Sequence, residues 1–215
     1  MLVDEDTGKI VRISKFEWRN LTFKVRNSGK DYAKTGERHK YILDDVYGSA
    51  KAGEITAIVG KSGAGKTSLL NILSQRVSWN RLKSGNFSLN NGVKAKPRLL
   101  KENSSYLRQE DIYHTALTPY EVMMNAAKFL VRGNQEVRET VVNDLIRDLN
   151  LETCRDNIIG SFFEKGGISG GQKRRLSLAL ELMTDPDVLF LDEPTSGLDS
   201  FTALLVMSII KREAR

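Results

Sequence analysis

The chain has 215 residues, with 33 Lys and Arg against 27 Asp and Glu, for a formal charge of +6. Apolar residues at 40% and charged residues at 28%, with 17 Gly, 4 Pro and 1 Cys, describe a domain long enough to bury its own core and exclude collagen, disorder and a disulfide scaffold. The mild positive balance admits an anionic partner such as nucleotide, nucleic acid or a lipid headgroup without choosing among them.

The first ten residues carry Asp4, Glu5 and Asp6 and lack the apolar stretch of a signal peptide. Leu21, Phe23 and Val25 alternate with Thr22 and Lys24, the period of a half-buried strand. A turn at Asn27-Ser28-Gly29 leads into a polar surface loop over 30–40, and a second strand is expected around Tyr41 to Val46. Glu54 to Val59 is apolar and β-branched, which predicts a strand buried on both faces. After Lys66 the period changes: Leu69, Ile72 and Leu73 make a helical stripe. Phe87 and Leu89 before Asn90-Asn91-Gly92 read as a hairpin. Thr118-Pro119-Tyr120-Glu121 combines an N-cap, Pro at the first helical position and Glu at the third, which starts a helix running to about Leu130. Val137, Val141, Leu145 and Leu149 mark another helix, and a third runs from about Gln172 to Met183. Val188 to Leu191 reads as a buried strand and Ser200 to Lys211 as a helix. Strands alternating with helices predict an α/β fold with a largely parallel sheet. The single Cys154 has no internal partner and reads as a small core residue, which fits a reducing compartment. The longest nearly apolar run, Ala203 to Ile210, is too short to span a bilayer.

Three stretches carry chemistry. Gly60-Lys61-Ser62-Gly63-Ala64-Gly65-Lys66-Thr67 fits the P-loop pattern G-x-x-x-x-G-K-[ST]. Its glycines let successive backbone N–H groups turn towards phosphate oxygens, and the helix that opens at Lys66 adds positive potential at the same place. Lys66 supplies a full charge for the β- and γ-phosphates, and Thr67 offers a hydroxyl to Mg2+. Val188 to Leu191 ends in Asp192-Glu193, so the strand delivers two acids to the sheet edge where ligands bind in such folds. Asp192 can hold the Mg2+ shell, and Glu193 can polarise a water aimed at the γ-phosphate. Ser169-Gly170-Gly171-Gln172 opens a helix; it reads as a second anion site or, equally, as a Ser N-cap followed by loop glycines.

Taken in order, these stretches resemble the ATP-binding domain of ABC transporters. Ser169 lies 23 residues before Asp192, and Lys66 lies 103 before Ser169, the family's spacing. The likeness to subfamily G, the White-type and pleiotropic drug resistance transporters, rests on four stretches: Gly63 to Leu73, Leu117 to Glu121, Glu181 to Pro186, and Leu191 to Ser200. It implies a P-loop NTPase (RecA-like) core with an antiparallel β subdomain and an α-helical subdomain carrying the signature. The expected division is about 1–110 with 184–215 for the core and β subdomain, and about 111–183 for the helical one. It also implies that Gln109 is the Q-loop glutamine near Mg2+ and the attacking water, and that Glu193 is the catalytic base. The nucleotide contacts it implies are Gly60 through Ser68, with Ser169, Gly170, Gly171 and Gln172 as the signature acting on a second copy and Asp199 as the D-loop residue. Thr67, Gln109 and Asp192 are the implied metal-facing residues. Tyr32 and Tyr41 are candidates to stack on adenine. The family's switch histidine is expected beyond Arg215, since His39 and His114 are both out of place; a chain ending here is expected to hydrolyse ATP weakly.

The function this implies is the ATP-hydrolysing part of an exporter of lipid, sterol or drug-like substrates. Its partners would be ATP, a second ATPase domain and a membrane domain, and it would sit at the cytoplasmic face of a membrane. The alternative is a soluble ABC ATPase acting on nucleic acid or ribosomes. The chromosome-type version needs a long coiled coil, and no sustained heptads lie between Lys66 and Ser169; the translation-factor version needs two P-loops, and the chain has one. A non-hydrolysing partner domain is a third class, disfavoured by the presence of Lys66, Gln109, Ser169 and Glu193.

Overall fold

The computed structural model describes residues 2–3, 10–27, 36–90, 92–109, 113–160 and 166–214. It forms two compact units, Met1–Ser104 with Ala214–Arg215, and Ser105–Glu213.

The first unit is built on an antiparallel sheet in the order β4-β3-β5-β6, from β3 (Lys15–Arg26), β4 (His39–Lys51), β5 (Ser84–Leu89) and β6 (Val93–Lys94). The short strands β1 (Leu2–Val3) and β2 (Ile10–Val11) pair separately. Along β3 the buried face changes parity, because Phe16 and Trp18 point inward and then Leu21 and Phe23 do. The register shift between Trp18 and Leu21 accounts for this. There Asn20 and Asp45 both take left-handed backbone, and the Asn20 amide donates to Asp45 Oδ1 at 3.0 Å. The Trp18 indole packs against Gly48, where a Cβ would come within 2.5 Å of it, so the aromatic core needs glycine at that point. Helix α1 (Lys66–Leu73) buries Leu69, Ile72 and Leu73 as its stripe predicts. It is tied to the sheet through Trp79, whose indole stacks on Phe87 at 3.7 Å and donates to the Ile72 carbonyl at 2.8 Å. A short helix α2 (Pro97–Glu102) closes the unit.

The strand expected over Glu54–Val59 is not formed. The segment is largely exposed, Val59 at 91%, and its backbone joins no described ladder. An apolar, β-branched run becomes a strand only beside a partner that accepts its backbone groups. In the first unit the sheet already ends at β4 on one side and β6 on the other. The largest sheet is antiparallel, as expected of the β subdomain: β3 is followed by β4 and β5 by β6 with no helix between them among the described residues, and β5 returns after α1 to pair antiparallel with β3. Of the loop expected over 30–40, residues 30–35 lie outside the described ones, and 39–40 already belong to β4.

The second unit pairs β7 (Ser104–Leu107) with β8 (Val188–Leu191), the parallel element of the fold. With them are α3 (Pro119–Leu130), α4 (Gln135–Asp148), α5 (Gly170–Leu182) and α6 (Ser200–Glu213). Its core joins Leu107, Met123, Ile146, Leu176, Leu178 and Val206, with the free Cys154 thiol sealed in the same cluster and pushed up in pKa by burial. Helices α3 and α5 start with reciprocal capping boxes. Thr118 Oγ1 accepts from Glu121 N while Glu121 accepts from Thr118 N, and Ser169 and Gln172 do the same. Each box satisfies two of the four otherwise unpaired N–H groups at a helix start.

Candidate functional site

In the first unit, the loop 60–65 turns into α1 through two left-handed glycines, Gly63 at φ +77° and Gly65 at φ +92°. Gly65 is needed twice over: its φ disfavours a side chain, and a Cβ would stand 2.9 Å from the Ile42 carbonyl oxygen of β4. No atom lies within 4 Å of the position a Cβ would take on Gly63, so its left-handed φ, not a close neighbour, is what calls for glycine there. Lys66 folds back over the loop and donates from Nζ to the carbonyls of Gly60 (3.1 Å) and Lys61 (3.0 Å). Two of its three ammonium protons are thereby engaged, which fixes the charge at the loop mouth and leaves a donor for a ligand. With no acid in the first turn of α1, the helix end and this ammonium act together on an anion. Thr67 and Ser68 stand on the same turn. This donor set fits a polyphosphate.

In the second unit, β7 and β8 bring Gln109 and the pair Asp192-Glu193 together. The Gln109 amide donates to Glu193 Oε2 at 2.9 Å. Asp192 is 6% exposed, accepts the Tyr106 hydroxyl at Oδ2 (3.1 Å), and anchors the strand end by donating its N–H to the Leu107 carbonyl. Glu193 has left-handed backbone, φ +46°, a conformation that non-glycine residues adopt at a cost of about 1–3 kcal/mol and that clusters at functional positions. A carboxylate and a carboxamide in hydrogen-bond contact at a strand end can orient and deprotonate a water.

The signature residues Ser169, Gly170, Gly171 and Gln172 form the start of α5, with Ser169 and Gln172 engaged in the cap. Gly171 lies against Thr202 of α6. Asp199 caps α6: Oδ1 accepts Thr202 N–H at 3.0 Å and Oδ2 accepts the Thr202 hydroxyl at 2.6 Å, and these bonds hold the Asp199 carboxyl below its usual range. The signature and Asp199 are therefore neighbours through one threonine.

Of the adenine-stacking candidates, Tyr41 is 46% exposed with the Lys24 ammonium 4.0 Å from its ring centre, and Tyr32 lies outside the described residues. His114 is exposed. Sequence reasoning passed over Tyr106, which holds Asp192, and Arg174, a buried arginine on α5. Arg174 stands four residues before the buried Leu178, a spacing that puts both on the inner helix face. Among the described residues no helix is long and apolar enough to cross a membrane.

Comparison with known proteins agrees on one family. The profile of the ABC transporter family matches residues 43–196. The chain is 40% identical over 197 residues to the ABC transporter ATP-binding protein/permease wht-3 of Caenorhabditis elegans, covering 92% of this chain and 31% of that protein. It is 38% identical over 220 residues to ABC transporter G family member 17 of Arabidopsis thaliana, covering 100% of this chain and 33% of that protein. It is 40% identical over 212 residues to ABC transporter G family member 24 of Dictyostelium discoideum, covering 98% and 18%. The chain thus spans a third or less of the length of these relatives.

Proposed function

The chain belongs to the ABC transporter family, and from that premise we propose that it binds and hydrolyses ATP as the nucleotide-binding part of a subfamily G membrane exporter. The observation that carries this reading is the phosphate loop, where Lys66 is pinned across Gly60 and Lys61 and the left-handed Gly63 and Gly65 turn the chain into α1. Gly60 through Ser68 hold the phosphate groups in this reading. Thr67 and Asp192, with Gln109, are the residues that face Mg2+, which when bound neutralises phosphate charge. Glu193 accepts the proton of the attacking water, and Gln109, already bonded to its carboxylate, orients that water. Ser169, Gly170, Gly171, Gln172 and Asp199 serve nucleotide held with a second copy or a related domain. The remaining partner is a membrane domain that exports a lipid, sterol or drug-like molecule, with this domain on the cytoplasmic face. Residues 1–110 with 184–215 supply the core and β subdomain, and 111–183 the helical one. The relatives are named as transporters, which favours this reading over a soluble ATPase acting on nucleic acid or ribosomes.

The test is Glu193→Gln. Glutamine keeps the shape and the bond to Gln109 but is no base. Expected is an unchanged Mg-ATP affinity by calorimetry with loss of phosphate release, about 100-fold or more as for removal of a general base. Phosphate release at the wild-type rate would remove Glu193 from this role.

A further inference from the structure

Arg174 is charged, lies one turn into the signature helix, and is only 3% exposed. Its guanidinium meets five backbone carbonyls drawn from two separate loops. Nε donates to Pro194 O at 2.9 Å. One terminal nitrogen donates to Arg108 O and, at 3.4 Å, to Gln109 O. The other donates to Asp192 O and Glu193 O, both at 3.2 Å. A guanidinium has five N–H donors in a rigid plane, and here each has an acceptor.

The acceptors are not scattered. Two flank the start of the loop that carries Gln109, and three are consecutive carbonyls through the turn that carries Glu193. Three successive carbonyls converge on one group only when the chain bends sharply, and Glu193 supplies the bend with its left-handed backbone. That conformation is unfavourable for a non-glycine residue and persists where its surroundings fix it. The Gln109–Glu193 bond, at 2.9 Å, joins the side chains that the same two loops carry. A second tie runs the same way: the Tyr113 hydroxyl, just past Gln109 in sequence, bonds to Lys173 O at 2.7 Å and to the Ser177 hydroxyl, both on the signature helix.

We propose that Arg174 is a positioning residue for hydrolysis: from the signature helix it sets the backbone on both sides of the Gln109–Glu193 pair, and so the distance and angle at which amide and carboxylate present a water to phosphate. It touches neither substrate nor water; it acts through the two loops. Displacement of the signature helix is passed to both loops through one rigid fork. Lysine cannot replace it fully, because an ammonium has three donors at a single point and cannot span carbonyls on two loops. This inference rests on the ATPase reading above.

The experiment compares the full chain as wild type, Arg174→Met, Arg174→Lys and, as a binding control, Lys66→Ala. Three quantities are read: Mg-ATP affinity by calorimetry, single-turnover hydrolysis with protein in excess, and amide hydrogen exchange by segment. In Arg174→Met hydrolysis should fall about 100-fold, the scale of an ångström of misplacement, with ATP affinity held within about twofold. Exchange should quicken at 107–109 and 192–195 while 176–182 on the same helix stays as protected as in wild type. Arg174→Lys should fall between the two, and it carries the test if the Met variant does not fold. Hydrolysis within threefold of wild type in Arg174→Met overturns the proposal. So does a loss of affinity in step with rate, or an exchange increase spread evenly along α5, since each describes a residue that only stabilises the helix. If wild type binds Mg-ATP no better than Lys66→Ala, the nucleotide reading fails; the exchange contrast at the two loops then decides by itself whether Arg174 positions them.

Discussion

Replacing Gly171 by Ala sets two effects of opposite sign against each other. In a helix, Ala is favoured over Gly by about 0.5–1 kcal/mol, and Gly171 is the second residue of α5, so propensity alone predicts a small gain. The structure predicts a loss. A Cβ on Gly171 would sit closer than 3.0 Å to Thr202 Cγ2, a separation real Cβ atoms essentially never show. The methyl cannot swing away cheaply, because the Thr202 hydroxyl is held by Asp199 Oδ2 at 2.6 Å and a χ1 rotation breaks that bond. Overpacking of this kind costs about 1–3 kcal/mol, so the net effect should be a destabilisation of about 1–2 kcal/mol. A double-mutant cycle with Thr202→Ser isolates the cause: serine keeps the hydroxyl for Asp199 and removes the methyl. Urea unfolding of wild type, both single variants and the double variant should show that Thr202→Ser restores most of what Gly171→Ala loses, a coupling of about 1 kcal/mol or more. A Gly171→Ala chain as stable as wild type, or a loss that Thr202→Ser does not reduce, would refute the packing argument and the adjacency of the signature to Asp199.

Two smaller perturbations follow from the caps. Thr118→Ala removes the acceptor for Glu121 N–H and opens the box at α3; it should cost about 1 kcal/mol in urea unfolding, and Thr118→Ser should cost little. Asp199→Ala bears on pH. The Asp199 carboxyl lies below its ordinary value of 3.8 in the folded chain because Thr202 bonds the charged form, so its stabilisation is present above that value and is lost as pH falls through the lower, folded one. The stability difference between wild type and Asp199→Ala should therefore be full at neutral pH and shrink as the medium is acidified below about pH 4; a difference that stays constant in urea titrations at pH 7 and pH 3 would contradict the bond to the carboxylate.

Local patterns carried most of the fold. The capping box at Thr118, the stripe Leu69-Ile72-Leu73 and the strand Val188–Leu191 appear in the structure where short-range spacing put them, because each is decided by neighbours within a turn or two. Glu54–Val59 failed for the complementary reason. Apolar, β-branched composition reports a tendency towards burial, while a strand also needs a partner that the sequence does not name. The paired irregularity at Asn20 and Asp45 was illegible too, since it depends on two residues 25 apart meeting across a register shift. At the site, the P-loop was readable to the residue because phosphate chemistry fixes both residue types and spacing. The Gln109–Glu193 contact spans 84 positions and came only through family resemblance. Arg174 was hidden by its neighbours Lys173 and Arg175, which make it look like one charge in a solvated run. Its burial follows from backbone carbonyls turned inward at two distant loops, and no side-chain pattern records those.

The central claim is that Gly60–Thr67 holds the phosphates of ATP through the Lys66 ammonium and the N-terminus of α1. The direct measurement is a calorimetric titration of the chain with Mg-ATP, run in parallel on Lys66→Ala. Wild type should bind with saturable heat. The variant should lose tight binding, by about 100-fold in affinity for removal of a hydrogen-bonded charge partner, while its unfolding midpoint stays near that of wild type because Lys66 caps its own loop at the exposed surface. Equal affinity in the two proteins would contradict the assignment of the site.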